Sequence, residues 1–366
     1  MKITAAVLRE PTARFEIEEL ELADPRDGEV LVRMVGAGLC HTDLLSREWP
    51  PEMFPGPIVY GHEGAGIVEA AGSDVSGVAI GDHVVLSFDS CGGCAGCRDF
   101  GPYACYEFLP LNLAPNRPDG SSSLTDANGE SVGSFFFGQS SLASHAVVAA
   151  RSVVKVDASF ALERLGPLGC GVQTGAGAIL NTLGVTEGAS VAIYGAGSLG
   201  LSAVMAAKVA GAGQIIAVDR HASRLELAAR YGATDQVSGS PDEILEAVRD
   251  LSGGGTDYSF DSTGVARITR VAFEGLNNTG TMSMAGVGSD VDLVLDYRSL
   301  ISPRRILGVV EGSSNTTEFI PRLAQLNAEG AFPFDELITT YRLDEINDAE
   351  RASHDGEVIK PVFLFD

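Results

Sequence analysis

Positive charge is scarce in this chain. Its 366 residues carry 25 Lys and Arg against 49 Asp and Glu, a formal net charge of −24, and only four of the cations are lysines: Lys2, Lys155, Lys208 and Lys360. A surface of that sign repels phosphate backbones and anionic lipid, which argues against nucleic acid and membrane partners. Tryptophan occurs once, at Trp49, and no apolar run reaches the roughly 20 residues that a membrane span needs. The opening MKITAAVLREPTARFEIEEL has a short apolar stretch and quickly turns acidic, unlike a secretory signal, so a cytoplasmic location is expected. Cysteine is also sparse, at six residues. In a reducing compartment clustered cysteines are read as metal ligands before disulfides.

What is present is an ordinary globular composition, 45% hydrophobic and 20% charged, with 44 glycines set in short clusters beside apolar runs. The length suits two domains. Up to about residue 155 the chain reads as short strands (ITAAVLRE, EVLVRMVGAG, AGIVEAAG, DHVVLSF, ASHAVVAA) separated by turn residues, a β-rich or barrel-like unit. The polar stretch 112–133 lacks periodicity and is expected to be a surface loop. From about 170 strand and helix patterns alternate, with SVAIY, QIIAVD, DQVS, TDYSFDS, GTMSMAGV and RRILGVV as the strands. Six strands with intervening helices predict a doubly wound parallel sheet, so the fold class is α/β. The expected division is 1–170 with 311–366, and 171–310.

Gly195-x-Gly197-x-x-Gly200 directly follows the SVAIY strand and opens the next helix through Ser198 and Leu199. There the glycines permit a tight turn, backbone approach to a pyrophosphate and close helix packing, with the phosphates at the helix N-terminus. Asp219 ends the following strand, where a carboxylate bonds the adenosine ribose and repels a 2′-phosphate, favouring NAD over NADP. The alternative is that these are tight-turn glycines and an exposed acid.

Cys91, Cys94, Cys97 and Cys105 crowd into residues 91–105. Four thiolates can close a tetrahedral zinc site with no open position, while an iron–sulfur site, a nucleic-acid zinc module and unrelated thiols are competing readings. Cys40, in GLCHTD, and Cys170, in PLGCGVQTG, stand apart, and His62 lies in GHEGAG. Singly each has an ordinary explanation as a core residue. Together, two cysteines and a histidine form a three-ligand set that leaves zinc an open fourth position.

In GLCHTD, GHEGAGIVEAAG, the four-cysteine lobe, GCGVQTGAGA and YGAGSLG the chain resembles the zinc-dependent medium-chain alcohol dehydrogenases over essentially its full length. The resemblance implies a GroES-like catalytic domain beside a Rossmann NAD-binding domain, and two zinc ions per chain. Cys40, His62 and Cys170 would hold the catalytic zinc, a Cys₂His set already known for alcohol dehydrogenases, and the lobe cysteines the structural one. Thr42 would be the first proton relay, Asp43 the partner fixing the His62 tautomer, and Glu63 a group behind the zinc that serves as a transient ligand or tunes the field. His41 corresponds to a position near the cofactor pyrophosphate. Arg224 would contact the adenosine ribose, with a surface ion pair as the alternative. Many relatives place a histidine five residues after the first zinc cysteine; here that position is Leu45, so no terminal base is assigned.

The same resemblance places Trp49 and Phe54, and the run containing Phe136, around the substrate channel, favouring flat or unsaturated substrates. The pattern is most similar to the aryl and allylic branch, acting on benzyl-type or terpenoid primary alcohols. A general aliphatic or glutathione-adduct formaldehyde dehydrogenase, and a non-catalytic nucleotide-binding zinc protein, remain as alternatives. By analogy, and from the apolar sixth strand, a homodimer is expected, with a tetramer as the alternative.

Overall fold

A computed structural model describes residues 1–48, 51–286, 288 and 292–365. The chain folds into two compact units, one of Met1–Cys170, Asn315–Gln325 and Asp335–Asp366, the other of Gly171–Ser314 and Leu326–Phe334. The chain returns to the first unit at Asn315 rather than 311, and the stretch from Leu326 to Phe334 belongs with the second.

In the first unit the long strand Glu29–Gly38 buries Val30, Val32 and Met34 between more exposed neighbours, the two-residue period of a half-buried sheet. Val68, Val84, Leu86, Ala146 and Val148 pack on the same face. The strand pairs antiparallel with Gly64–Ala71, His145–Ala149 and Lys360–Leu364, so the C-terminal strand is brought beside it. Its pairing with Gly64–Ala71 shifts register between Met34 and Gly36, just before Cys40. Such bulges bend a strand and re-aim the side chains beyond. A second, five-stranded sheet orders Ile58–Val59, Lys2–Leu8, Glu16–Leu22, Leu124–Thr125 and Ser131–Val132.

The polar stretch 112–133 is not a plain surface loop. It supplies the last two of those strands and sends Asn112 and Arg117 into the interior. Two-residue strands are too short to leave a periodic signal, and Arg117 is tolerated inside because Glu29 takes both Nε (2.6 Å) and Nη2 (2.9 Å).

The second unit carries a six-stranded parallel sheet in the order Asp235–Val237, Gln214–Val218, Ser190–Tyr194, Thr256–Asp261, Leu276–Met284, Arg305–Gly308. Helices Ser198–Val209, Ala222–Tyr231, Pro241–Leu251 and Ala266–Glu274 make the crossovers. This is the doubly wound arrangement expected from the alternating pattern, with its order reversing beside Ser190–Tyr194. Ser190–Tyr194 is apolar at Val191, Ala192 and Ile193 because both its faces are covered. Among the described residues no helix is long and apolar enough to cross a membrane.

Candidate active site and metal centres

Cys40 leaves the bulged end of Glu29–Gly38, and the next residues coil into the short helix His41–Glu48. Asp43 closes that turn: its Oδ2 accepts from Cys40 N at 2.9 Å. Its Oδ1 reaches a second segment, accepting from Gly61 N (3.0 Å) and lying 2.7 Å from His62 Nδ1. The carboxylate therefore fixes the imidazole with a proton on Nδ1 and the lone pair on Nε2, the form in which histidine ligates metals. His62 is fully buried, and its Nε2 has no hydrogen-bond partner, an orphaned polar atom that a metal would satisfy.

The walls of this site hold His62 in place. Phe137 stacks on the imidazole at 4.6 Å between ring centroids, and Phe136 meets it edge-on at 5.6 Å while also contacting Tyr60. Gln139, fully buried, donates to the carbonyls of His62 (3.0 Å) and Ser87 (2.9 Å) and accepts from Gly64 N (3.2 Å). Ser87 in turn donates to the Gly169 carbonyl at 2.6 Å, next to Cys170.

The ligand atoms of Cys40, His62, Glu63 and Cys170 all lie within 4.8 Å of one another. The adjacent Cys170 thiol, against the effect of burial and with help from His62, holds Cys40 well below the usual thiol range. Burial works against a charged His62, but the Asp43 carboxylate and the Cys40 thiol together lift the ring well above its ordinary value. Two thiols and an imidazole, one thiol already inclined to ionise, suit a borderline-soft divalent ion such as zinc. Thr42 Oγ1 stands 3.7 Å from Cys40 Sγ. Phe54 packs at the edge of the apolar core, Leu45 is half-buried and His41 exposed. Trp49 lies outside the described residues.

Cys91, Cys94, Cys97 and Cys105 form a separate cluster. The Sγ separations of Cys91 and Cys94 from Cys97 are 3.9 and 3.5 Å. A tetrahedron with zinc–sulfur bonds of about 2.3 Å has edges of about 3.8 Å, so the four sulfurs suit one ion. Backbone N–H groups already point at the sulfurs: Cys94 N at Cys91, Cys97 N and Tyr106 N at Cys94, and Cys91 N at Cys105. Those from Tyr106 and Cys97 hold the Cys94 thiol down to about 6.

In the second unit Gly195 adopts φ +88° at the end of its strand, and Gly200 lies so close that a Cβ there would overlap the Gly195 carbonyl. A Cβ on Gly197 would meet open space, so its backbone can be approached from outside. Asp219 Oδ2 accepts from Ala196 N (2.7 Å) and Oδ1 from His221 N (2.8 Å), tying the glycine turn to the next strand. Ser198 Oγ, at the helix start, and Arg224 Nε are buried without partners, and the Leu199 carbonyl packs against Gly175. Unpaired donors at a helix N-terminus beside an open glycine fit the phosphates and ribose of a dinucleotide.

Residues 26–158 match the family described as "Alcohol dehydrogenase GroES-like domain", and 198–326 the one described as "Zinc-binding dehydrogenase". The chain belongs to the zinc-dependent alcohol dehydrogenase family. It is 42% identical over 365 residues to geraniol dehydrogenase of Castellaniella defragrans, covering 99% of this chain and 97% of that one. The structure of benzyl alcohol dehydrogenase from Acinetobacter calcoaceticus superposes with a TM-score of 0.95 at 41% identity, covering 100% of both chains. S-(hydroxymethyl)glutathione dehydrogenase of Synechocystis is 35% identical, again over the whole of both chains. The protein is thus an NAD-dependent alcohol dehydrogenase whose cofactors are zinc and NAD.

Two residues with little signal in the sequence are built into the surroundings of Cys40, His62 and Cys170. Lys360 is buried, its Nζ 2.9 Å from both Glu63 oxygens and 3.2 Å from the Leu39 carbonyl. Its signal was a rare lysine inside the apolar run VIKPVFLF. Gln139 gave none beyond being an amide among apolar and small residues.

Proposed function

We propose that this alcohol dehydrogenase oxidises aromatic or allylic primary alcohols to aldehydes, reversibly, with Cys40, His62 and Cys170 holding the catalytic zinc and the four lobe cysteines a structural one. The buried, unpartnered Nε2 of His62 between two thiols carries the assignment of the catalytic centre. The substrate class is supported by the full-length likeness to geraniol and benzyl alcohol dehydrogenases.

Zinc, when bound, supplies the Lewis acidity that lowers the pKa of an alcohol, and NAD accepts the hydride. The chain's own residues supply position and proton handling. Asp43 keeps Nδ1 of His62 protonated, so Nε2 stays available as a ligand. Phe137 and Phe136 fix the ring plane. Thr42, whose Oγ1 stands 3.7 Å from Cys40 Sγ, would take the hydroxyl proton of the substrate, and Leu45 at the position of the relatives' histidine can neither accept nor donate it. Gly195, Gly197, Ser198, Leu199 and Gly200 cradle the pyrophosphate, with Asp219 and Arg224 at the ribose.

A homodimer fits the second unit. Arg305–Gly308 is the edge strand of its sheet, with no partner on its outer side among the described residues; Leu307 is exposed on it, and Val310, Tyr297, Leu300 and Ile301 are exposed in the adjoining segments, as expected where a second copy pairs. Light scattering on the purified protein distinguishes dimer from tetramer. Thiolate sites are kept by reducing surroundings, which supports a cytoplasmic location.

The test of function is NADH formation across benzyl, cinnamyl, geranyl and short aliphatic alcohols and S-(hydroxymethyl)glutathione. The first three should give the highest kcat/KM. Ethanol or the glutathione adduct as best substrate would overturn the substrate class.

A further inference from the structure

Among the described residues five besides glycine take a left-handed backbone, and two of them, Glu311 (φ +47°) and Ser313 (φ +48°), flank Gly312 (φ +68°) in one turn. A residue with a Cβ holds that conformation only where its surroundings over-determine it. The turn follows the strand Arg305–Gly308, whose pairing runs on through Val309 N to Met284 O at 3.0 Å. It is pressed backbone to backbone on the helix Gly171–Gly177, which begins immediately after Cys170: a Cβ on Gly312 would overlap the Gln173 carbonyl, and one on Gly177 the Gly312 carbonyl. Asn181 Nδ2 adds a bond to Gly312 O at 3.0 Å. Within the turn Glu311 is 8% exposed, and Gln173 is fully buried. Gln173 Nε2 donates to Glu311 Oε2 at 3.2 Å, while its Oε1 accepts from Ser314 Oγ at 3.0 Å. Glycine adopts a positive φ more readily than glutamate, so what Glu311 adds is its side chain, and that is turned inward onto the amide of Gln173.

In a doubly wound sheet ligands lie outside the carboxyl ends of the strands, at the point where the strand order reverses. Asp219, at the adenosine ribose, follows the strand Gln214–Val218 on one side of the glycine turn. The other half of the dinucleotide therefore extends to the opposite side, toward the ends of Thr256–Asp261, Leu276–Met284 and Arg305–Gly308. Glu311–Ser313 stands past the end of the last of these strands, fastened to the helix that continues from the proposed zinc ligand Cys170. We propose that Glu311 is a positioning residue for the nicotinamide half of NAD: by engaging Gln173 it locks this turn on the helix Gly171–Gly177, and so fixes the wall that holds the nicotinamide for hydride transfer. This rests on the assignment of Gly195, Gly197 and Gly200 to the pyrophosphate and of Asp219 to the adenosine ribose. Placement matters there because a misplacement of about 1 Å between reacting groups can slow a reaction by about 100-fold.

The test compares NADH with ADP-ribose, which keeps the adenosine and pyrophosphate but lacks the nicotinamide. In the zinc-loaded enzyme, Glu311→Gly keeps the backbone conformation and removes the side chain, and Gln173→Ala removes its partner. Each should weaken NADH binding, read from the fluorescence of the nucleotide, about tenfold, and leave ADP-ribose binding, read by calorimetry, within about twofold of the wild type. The double variant should lose no more than the larger single loss, because both substitutions break one contact. Glu311→Gln, whose amide oxygen still accepts from Gln173, should bind NADH as the wild type does. Gln173→Ala carries the same measurement if Glu311→Gly does not fold. Unchanged NADH affinity in the single variants would overturn the proposal. So would equal losses for NADH and ADP-ribose, which mark a role in the fold of the unit alone, or losses that add in the double variant. Wild-type protein that binds neither nucleotide would instead indict the assignment of the glycine turn, so the two failures are distinguishable.

Discussion

Asp43 and His62 share one hydrogen bond of 2.7 Å between fully buried groups, and the same carboxylate holds Cys40 N at 2.9 Å. One side chain thus sets the position of two proposed zinc ligands that lie 22 residues apart in sequence. Asp43→Asn keeps the shape but turns an amide donor toward Cys40 N or His62 Nδ1. Zinc affinity at the catalytic site should fall roughly 10- to 100-fold, measured by competition with a chelator, with circular dichroism unchanged.

The two metal centres should separate experimentally. Cys40→Ala is expected to lose one zinc of two together with turnover while leaving the fold intact, whereas Cys105→Ala should lose the other and lower the Tm. Metal analysis paired with thermal denaturation checks both. Loss of both ions from either variant would contradict independent sites.

Cofactor choice should depend on Asp219. Because its oxygens also hold Ala196 N and His221 N, Asp219→Asn is the informative substitution: it removes the charge while one oxygen can still accept. KM for NAD is expected to rise about tenfold, the scale of ~1.4 kcal/mol, and NADP should become a usable substrate as repulsion of its 2′-phosphate disappears. Steady-state kinetics with both cofactors decides it.

Breaking the buried Arg117–Glu29 pair should be costly. Both side chains are shielded, and Arg117 also lies over the Phe135 ring at 4.9 Å. Arg117→Met strands the carboxylate and should destabilise by about 3–5 kcal/mol in urea denaturation, whereas adding Glu29→Gln should recover part of that loss.

Stability should also respond to pH through His145. Burial, only partly opposed by Glu69 at 3.5 Å, pushes its pKa below the usual 6.5. The unfolded chain therefore takes up this proton before the folded one does. The contribution is complete above pH 6.5 and is lost as pH falls from there through the depressed folded value. His145→Gln should flatten the Tm profile of the wild type across that window.

Much of the chemistry was legible locally. The glycine turn between SVAIY and its helix, the acid ending the next strand, and the spacing of the lobe cysteines are all set by contacts within a few residues, where strand and turn geometry are almost fully specified by residue type. The doubly wound parallel sheet of six strands followed from alternation of strand and helix, because short crossovers of one hand leave few topologies, while the strand order came from the structure. The stretch 112–133 misled for the converse reason: its two strands have two residues each, and its buried Arg117 reads as a surface residue until Glu29, 88 positions away, is seen to neutralise it.

The sequence by itself therefore determined the fold class, the cofactor turn and the cysteine and histidine inventory from which two metal centres could be drawn. Only the tertiary structure decided what stands behind the inventory. Glu63 and Lys360 are 297 residues apart, joined because Lys360–Leu364 pairs in one register with Glu29–Gly38, and Phe137 reaches His62 through a turn with φ +53°. Such partnerships depend on strand register and on the cost of burying charge, and neither leaves a periodic trace along the chain.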